Sequence, residues 1–402
     1  MRTLASAIVI GLLVLTLGCG GGSKSVPPVS GAAESLYVIS SNFSPPNFSS
    51  QLASYKLDPA TGSLALATPA GQIGTGLNGI VSNSKFLYIS TDSQVGPLIE
   101  IFSVSPEDGS VKSKGVFTAP GPCGLFCSPG FTGALALSPD GRFLFYGSSL
   151  LATYANQKIG VLSVNQTDGS LTSVPGSPFP ADLIPFGVSV HPSGKFLYTA
   201  NMGTPSVGFG FGPILSISCF SIDSTTGALT PVAGSPFPIT SSVSWPVQMT
   251  LHPSGRFLYL PTSGGFPSGG GNGVLGWSID ASSGALKALA ASPFDLGQTP
   301  IEGTMNRAGT LFYANAPGGM LAGYSVDSSS GALTPLAGFP LATGLRVGPP
   351  SMDPSGNFLY LGDSKSQAIV GYRVGTNGAL TPLSASTSVG GVVSSINIVS
   401  AP

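Results

Sequence analysis

Short runs of alternating apolar and polar residues, separated by turn residues, recur along this chain from about residue 35 onwards. The clearest run starts at His191 and reads His-Pro-Ser-Gly-Lys-Phe-Leu-Tyr-Thr-Ala. Pro-Ser-Gly predicts a turn and Phe-Leu-Tyr predicts a strand. Copies of this run start at Ser35 (the second half only), Asn83, Ser138, His252, Asn306 and Asp353. Seven copies about 50 residues apart indicate a repeat architecture.

Each repeat continues with a second pattern, in which a mostly aromatic position is followed by Ser, a β-branched residue and Asp or Asn. After a short turn comes Gly-Ala-Leu or a close variant, which Thr-Pro follows in three copies. Clear examples start at Phe220, Trp277 and Tyr324. The alternation predicts a strand, and Asp with a following Gly predicts a hairpin turn. Each repeat therefore predicts four strands: one before Pro-Ser-Gly, one with Phe-Leu-Tyr, one with aromatic-Ser-Val-Asp, and one with Ala-Leu-Thr-Pro.

Seven repeats of four antiparallel strands predict an all-β fold, a seven-bladed β-propeller, in which ring closure leaves few exposed sheet edges. The first repeat lacks its first strand, and the C-terminus carries a spare apolar run that starts at Val392. We expect this run to be the innermost strand of the first blade, so that both ends of the chain close the ring.

The connections between predicted strands fall into two classes. The Pro-Ser-Gly and Asp-Ser-Ser-Gly turns join strands one to two and three to four, and strand alternation places both on one face. The other connections are long and variable, for example 120–131, 201–213 and 261–273. Binding residues are usually carried by variable loops on a rigid scaffold. We therefore expect any functional site on the variable-loop face, around the central channel.

The N-terminus reads as an export signal, because one positive charge precedes an apolar run too short to span a bilayer. The Gly18-Cys19 pair resembles the lipobox of bacterial lipoproteins, which implies lipid attachment at Cys19; an ordinary secretory signal is the alternative. The expected organisation is a signal peptide over 1–18, a flexible tether over 19–34 and one propeller over 35–402. The protein is then exported and held at the cell envelope by a lipid anchor alone.

The composition narrows the function classes. Only 8% of residues are charged, against about 25% in an average soluble domain, and the net charge is −1 without a basic run. This excludes a typical nucleic-acid-binding surface. The chain has no Gly-x-Ser-x-Gly or His-Glu-x-x-His motif, and we expect no metal, no cofactor and a monomer.

The repeated Ser-Pro-Asp-Gly-Arg-Phe-Leu-Phe and His-Pro-Ser-Gly-Lys-Phe-Leu-Tyr runs resemble the seven-bladed propellers of the lactonase family over about 35–399. The resemblance implies hydrolysis of a sugar-derived lactone, as by 6-phosphogluconolactonase. The family's proposed working groups include a His, but His191 and His252 are the chain's only histidines and stand at repeated turns. We interpret both as structural.

The best candidates for lactone chemistry are Glu302, before an innermost strand, and Arg346, four residues before Pro350. Glu302 would activate water and Arg346 would stabilise the oxyanion; a salt bridge at the rim, or two unrelated charges, is the alternative. Trp245 is the best candidate for stacking on a sugar, although the aromatic residues of these loops also suit loop packing.

The remaining cysteines suggest no chemistry of their own. Cys123 and Cys127 lie in one long loop, where export permits a disulfide and free thiols are the alternative. Cys219 lies on an alternating strand and is expected to be a small buried hydrophobe.

Two functions follow from these patterns. One is a lactone hydrolase outside the cytoplasm, which would bind a small sugar or lactone. The other is an anchored, non-catalytic propeller that binds a carbohydrate, peptide or protein on its variable-loop face.

Overall fold

A computed structural model describes residues 34–42, 49–74, 79–91, 98–118, 135–150, 155–181, 184–202, 214–243, 248–262, 273–295, 300–345 and 347–400. These residues form seven antiparallel sheets, each with a four-stranded core whose strands follow one another in space as they do in the chain. The only interruption is the first sheet, which takes one strand from the C-terminus. No helix within the described ranges is long and apolar enough to cross a membrane. The predicted seven-bladed propeller is confirmed.

Each blade is named here by its order in the chain, and its strands run from the central channel outwards. Blade 1 consists of β32 (Val392–Ser400), β1 (Glu34–Asn42), β2 (Ser49–Leu57) and β3 (Leu64–Ile73), and blade 2 of β4 (Ile80–Ser82), β5 (Phe86–Thr91), β6 (Leu98–Val104) and β7 (Val111–Thr118). Blade 3 consists of β8 (Leu135–Leu137), β9 (Phe143–Leu150), β10 (Ala155–Val164) and β11 (Leu171–Ser173), and blade 4 of β13 (Ile184–Val190), β14 (Phe196–Met202), β15 (Ile214–Ile222) and β16 (Leu229–Pro231).

Blades 5 to 7 follow the same plan, and one 3-10 turn (Pro317–Gly319) lies in blade 6. Blade 5 consists of β18 (Thr250–Leu251), β19 (Phe257–Thr262), β20 (Gly273–Ile279) and β21 (Leu286–Ala288), and blade 6 of β22 (Glu302–Met305), β23 (Leu311–Ala316), β24 (Met320–Val326) and β25 (Leu333–Pro335). Blade 7 consists of β27 (Val347–Met352), β28 (Phe358–Asp363), β29 (Ala368–Val374) and β30 (Leu380–Pro382).

Four blades carry a short fifth strand that the sequence patterns did not predict. The short fourth strand pairs only with the C-terminal half of the third strand. The chain that follows it pairs with the N-terminal half of the same third strand as a fifth strand. These strands are β12 (Phe179–Pro180), β17 (Phe237–Val243), β26 (Leu341–Ala342) and β31 (Thr387–Ser388), in blades 3, 4, 6 and 7. Three of these strands have only two residues, too few to show an alternating pattern, and the seven residues of β17 do not alternate between apolar and polar, so the sequence did not reveal them.

The C-terminal strand closes the ring. β32 pairs antiparallel with β1, from the pair Glu34–Ser400 to the pair Ser41–Val392. The predicted joining of the two chain ends in blade 1 is therefore confirmed. Pairing covers the inner edge of β1, which would otherwise expose a row of backbone donors and acceptors.

One apolar core lies in each of the seven interfaces between neighbouring blades. Its repeated members are the Phe, Leu and Tyr of the second strand, which alternate between the two faces of a blade. In blade 4, for example, Leu197 packs towards blade 3 while Phe196 and Tyr198 pack towards blade 5. Every blade thus contributes one side of two cores, which explains why the Phe-Leu-Tyr run is repeated.

In five of the seven blades (2, 4, 5, 6 and 7) the same tyrosine ties the blade to the next one by a hydrogen bond. Its phenol donates to the carbonyl oxygen of the glycine in the next blade's second turn, at distances of 2.7–3.1 Å. The donor–acceptor pairs are Tyr88–Gly169, Tyr198–Gly284, Tyr259–Gly331, Tyr313–Gly378 and Tyr360–Gly62. These glycines have φ near +75°, and a Cβ on Gly284 would lie 2.6 Å from the Phe196 ring. The repeated Gly is required by both the turn and the neighbouring ring.

At the interface between blades 7 and 1, two acids stand where blades 4 and 5 have a histidine contact. In blades 4 and 5 the His that starts the Pro-Ser-Gly turn meets the next blade's turn, but blade 1 has no such turn. Asp353 occupies the histidine's position and Glu34 lies beside it; they are 1% and 4% exposed. Burial, and then the charge and hydrogen bond of Asp353, raise the pKa of Glu34 from 4.5 to about 7, opposed by the Ser355 backbone.

We expect Glu34 to make the stability of the closed ring pH-dependent. Between about pH 4.5 and pH 7 folded Glu34 binds a proton that the unfolded chain releases, so the contribution of Glu34 is most favourable in acid and is lost as pH rises. The pKa difference corresponds to about 3 kcal/mol. We expect Glu34→Gln to raise the melting temperature at pH 8 and to leave it nearly unchanged at pH 4.5, by calorimetry. Glu107→Gln, at an exposed turn position, is the control, and an equal effect of both variants at pH 8 would contradict this assignment.

Candidate active site

Glu302 is the first residue of β22, the innermost strand of blade 6, at the end of the strand that follows a variable loop. It is only 9% exposed. The next residue, Gly303, faces blade 5, because a Cβ there would lie 2.3 Å from Phe312, a member of the core between blades 5 and 6. Since side chains alternate along a strand, Glu302 faces blade 7.

Asn315 fixes the backbone around Glu302. The two residues are directly paired between β22 and β23, and Asn315 is 3% exposed. The Asn315 side chain accepts a hydrogen bond from the Glu302 N–H (2.9 Å) and donates one to the Gly348 carbonyl oxygen on β27 (3.1 Å). One amide thus connects the upper ends of the inner strands of blades 6 and 7, with Glu302 beside this connection.

The sequence did not single out Asn315, although a signal was present. A polar residue follows the apolar run Leu-Phe-Tyr-Ala near the end of β23, and Asn201 and Asp363 also lie at or next to the last residue of the second strands of blades 4 and 7. All three are buried. Asp363 is 3% exposed and accepts hydrogen bonds from the N–H groups of Lys365 and Ser366, so it is not a solvated loop charge.

Asn201 shows that such a residue can be purely structural. Its side-chain N–H groups donate to Ser216 (3.0 Å) and Ser218 (2.7 Å), and its oxygen accepts from Thr199 (2.8 Å). The network lies within blade 4. Asn315 differs because its bond crosses to the neighbouring blade, at the end of the channel where Glu302 stands.

Both histidines are structural, as predicted. His191 Nε2 donates to the Gly255 carbonyl (2.7 Å) and His252 Nε2 donates to the Gly309 carbonyl (2.9 Å), each in the next blade's first turn. Each Nδ1 therefore accepts, from the hydroxyl of Ser193 or Ser254 in its own turn. Burial lowers the pKa of His252. Neither imidazole has a nitrogen left for proton transfer.

The other predicted site residues lie outside the described residues: Cys19, Cys123, Cys127, Trp245 and Arg346. Cys219 is fully buried in the core between blades 4 and 5, as expected, and burial raises the pKa of its thiol to about 12. No group of three His, Cys, Asp or Glu side chains that could hold a metal occurs in the part of the chain that the structure describes.

Comparison with known proteins agrees with this architecture. Residues 81–235 match the family described as Lactonase, 7-bladed beta-propeller. The match covers blades 2 to 4 up to the Pro-rich turn after β16, less than half of the chain, and does not include Glu302. No curated protein matches the chain.

Solved structures match over nearly the whole chain. A Bacteroides uniformis protein assigned as a 6-phosphogluconolactonase is 15% identical, with a TM-score of 0.66, covering 92% of this chain and 100% of that one. A Bacteroides fragilis protein with the same assignment is 16% identical (TM-score 0.66, 92% and 99%). The Pseudomonas aeruginosa periplasmic gluconolactonase PpgL is 16% identical (TM-score 0.64, 92% and 100%). At these identities the similarity establishes the fold.

Proposed function

We propose that this protein is a lactonase-family propeller that hydrolyses a sugar-derived lactone at the variable-loop end of its channel. The observation that carries the proposal is the placement of Glu302, a largely buried carboxyl group beside an amide that joins the inner strands of two blades. The family match over 81–235 and the gluconolactonase fold of one structural neighbour support this class of substrate.

The chemistry needs a base and an oxyanion partner. Glu302 takes a proton from water as the water oxygen attacks the lactone carbonyl carbon, and Arg346 stabilises the negative charge on the carbonyl oxygen. The ring C–O bond then breaks, and the leaving oxygen takes the proton back from Glu302, which gives an open-chain hydroxy acid. Arg346 is assigned from its place in the chain, two residues before Gly348, whose carbonyl accepts the Asn315 bond.

The test measures, by pH-stat titration, the acid that the protein releases from a panel of sugar δ- and γ-lactones. We expect turnover clearly above the spontaneous rate, and none with heat-denatured protein. Hydrolysis no faster than the spontaneous reaction across the panel would refute the proposal.

A non-catalytic binding propeller is the second candidate, because both of the chain's histidines are fully used in turns. In this case the wild type does not hydrolyse lactones but binds a glycan, and Trp245 is the stacking residue. Trp245→Ala is then expected to weaken binding about tenfold, or about 1.4 kcal/mol, by calorimetric titration. Unchanged affinity would remove Trp245 from the site.

The proposed location is the cell envelope, with lipid on Cys19 as the anchor. The proposal rests on the short apolar run and the Gly18-Cys19 pair near the N-terminus. In a bacterial host, Cys19→Ser is expected to move the protein from the membrane fraction to the soluble fraction, whereas Ser23→Ala leaves it in place. Unchanged fractionation of Cys19→Ser would mean that acylation does not hold the protein.

A further inference from the structure

A pocket of about 280 Å³ lies between blades 7 and 1, away from the channel and from Glu302. Blade 1 contributes its second turn and Leu64, and blade 7 contributes Tyr360, Ile369, Gly371 and the stretch 383–387. The lining combines apolar groups with hydroxyls from Thr61, Ser63, Ser384, Ser386 and Thr387, and includes no Asp, Glu, Lys, Arg or His.

Other blades show what normally fills this position. In blades 2 to 6 a large apolar residue pairs with the third strand and packs into the core towards the next blade. The pairs are Phe117–Ile99, Phe179–Ile159, Phe237–Ile217, Phe294–Val274 and Leu341–Leu321. In blade 7 the same position, opposite Ile369, is occupied by Thr387.

The connection that carries this residue is also shorter in blade 7. In blade 3 the connection runs from Val174 to Phe179, and the Val174 N–H donates a hydrogen bond to the Val161 carbonyl oxygen. In blade 7 it runs from Leu383 to Thr387 and is one residue shorter. The Leu383 N–H donates the equivalent hydrogen bond to the Gly371 carbonyl oxygen. The loss of the ring and of one residue leaves the space open.

Gly371 marks the position of the missing ring. In blade 5 a Cβ on the equivalent Gly276 would lie 2.9 Å from Cε2 of Phe294, so that the ring covers this glycine. At Gly371 the nearest atoms belong to Leu383 and Tyr360, and the glycine lines the pocket. The propeller itself therefore places a phenyl ring at this site in several other blades.

We infer that the pocket between blades 7 and 1 binds a small uncharged aromatic ligand, with its ring over Gly371 where Phe294 covers Gly276, and with a polar substituent at the hydroxyl rim. The pocket of about 280 Å³ is large enough for a substituted benzene ring, since an apolar cavity of about 150 Å³ already accepts benzene. We infer an uncharged ligand because the lining has no charged residue that could compensate the loss of hydration of a charged group.

The test uses benzyl alcohol as the probe in ligand-observed NMR titrations of the whole protein. We expect saturable binding to the wild type and at least tenfold weaker binding to Thr387→Phe, which restores the ring of the other blades and should raise the melting temperature. Thr387→Ser keeps the pocket open and should bind like the wild type. Phe179→Thr in blade 3 should open a second pocket and raise the number of bound probe molecules.

The outcomes separate the alternatives. Absence of saturable wild-type binding, or equal binding to Thr387→Phe, would overturn the inference. If Thr387→Phe does not fold, a crystal of the wild type soaked in benzyl alcohol decides the question by whether the ring lies over Gly371. Binding of a Phe-containing peptide but not of benzyl alcohol would assign the pocket to a protein segment and refute a small-molecule ligand.

Discussion

A protein truncated before Val392 is expected to lose cooperative unfolding and to aggregate. The deletion removes β32, the innermost strand of blade 1, together with the buried side chains of Val393 and Ile396. Burial of each is worth about 1.5–3 kcal/mol, before the backbone pairing with β1 is counted. A domain is stable by only about 5–15 kcal/mol in total, so this loss removes a large part of its stability.

β32 also connects three blades. The Ser394 hydroxyl donates to the Ile39 carbonyl in blade 1 (3.2 Å), and the Ser82 hydroxyl of blade 2 donates to Asn397 (2.5 Å). On the other side, a Cβ on Gly362 of blade 7 would lie 2.5 Å from Val393. The deletion therefore opens two blade interfaces and exposes the edge of β1, which can then pair with other chains.

Differential scanning calorimetry and light scattering provide the measurement. Deletion of residues 401–402 alone is the control and should melt like the full chain. A synthetic peptide of residues 392–400 is expected to restore part of the cooperative transition when added to the truncated protein. An unchanged melting curve for the truncated protein would contradict closure by β32.

Glu302→Gln is expected to lower lactone turnover at least 100-fold, with a melting temperature close to that of the wild type. The amide has nearly the same shape as the carboxyl group but cannot take a proton from water, and general-base catalysis typically contributes 10²–10⁴-fold. The loss should fall on kcat more than on KM, because the proton transfer occurs in the transition state. Arg346→Ala should cause a loss of similar size through the oxyanion.

Glu100→Gln is the matched control for Glu302→Gln. Glu100 is also partly buried, on the third strand of blade 2, where it accepts a hydrogen bond from the Gly74 N–H (2.5 Å) and burial raises its pKa. Its replacement should change stability but leave turnover intact. A Glu302→Gln protein with full turnover would show that another group is the base, even if the wild type hydrolyses lactones.

The architecture could be predicted from the sequence because each blade repeats the same short turns. Two turns of fixed length set the register of four strands, so the repeat that starts at His191 predicts a whole blade. Ring closure followed from one missing strand at the start and one spare strand at Val392. The fifth strands were missed because three of them have only two residues, such as Phe179–Pro180, and the longer β17 has no alternating pattern.

The site was only partly predictable, because its geometry depends on contacts between blades. Glu302 was found from its place before an innermost strand, but the bond from Asn315 to Gly348 joins residues 33 positions apart, and no local pattern indicates it. The acid pair of Glu34 and Asp353 was missed for the same reason. Asp353 reads as one more turn residue until ring closure brings Glu34 beside it.

The most direct test of the proposed active site is a crystal structure of the protein with the δ-lactam of gluconic acid, a sugar-lactone analogue that resists hydrolysis. We predict that the lactam binds at the variable-loop end of the channel, with a water molecule hydrogen-bonded to the Glu302 carboxylate and about 3–3.5 Å from the lactam carbonyl carbon, as near-attack geometry requires. A lactam bound elsewhere on the propeller, with the channel end at Glu302 occupied by solvent alone, would contradict the account.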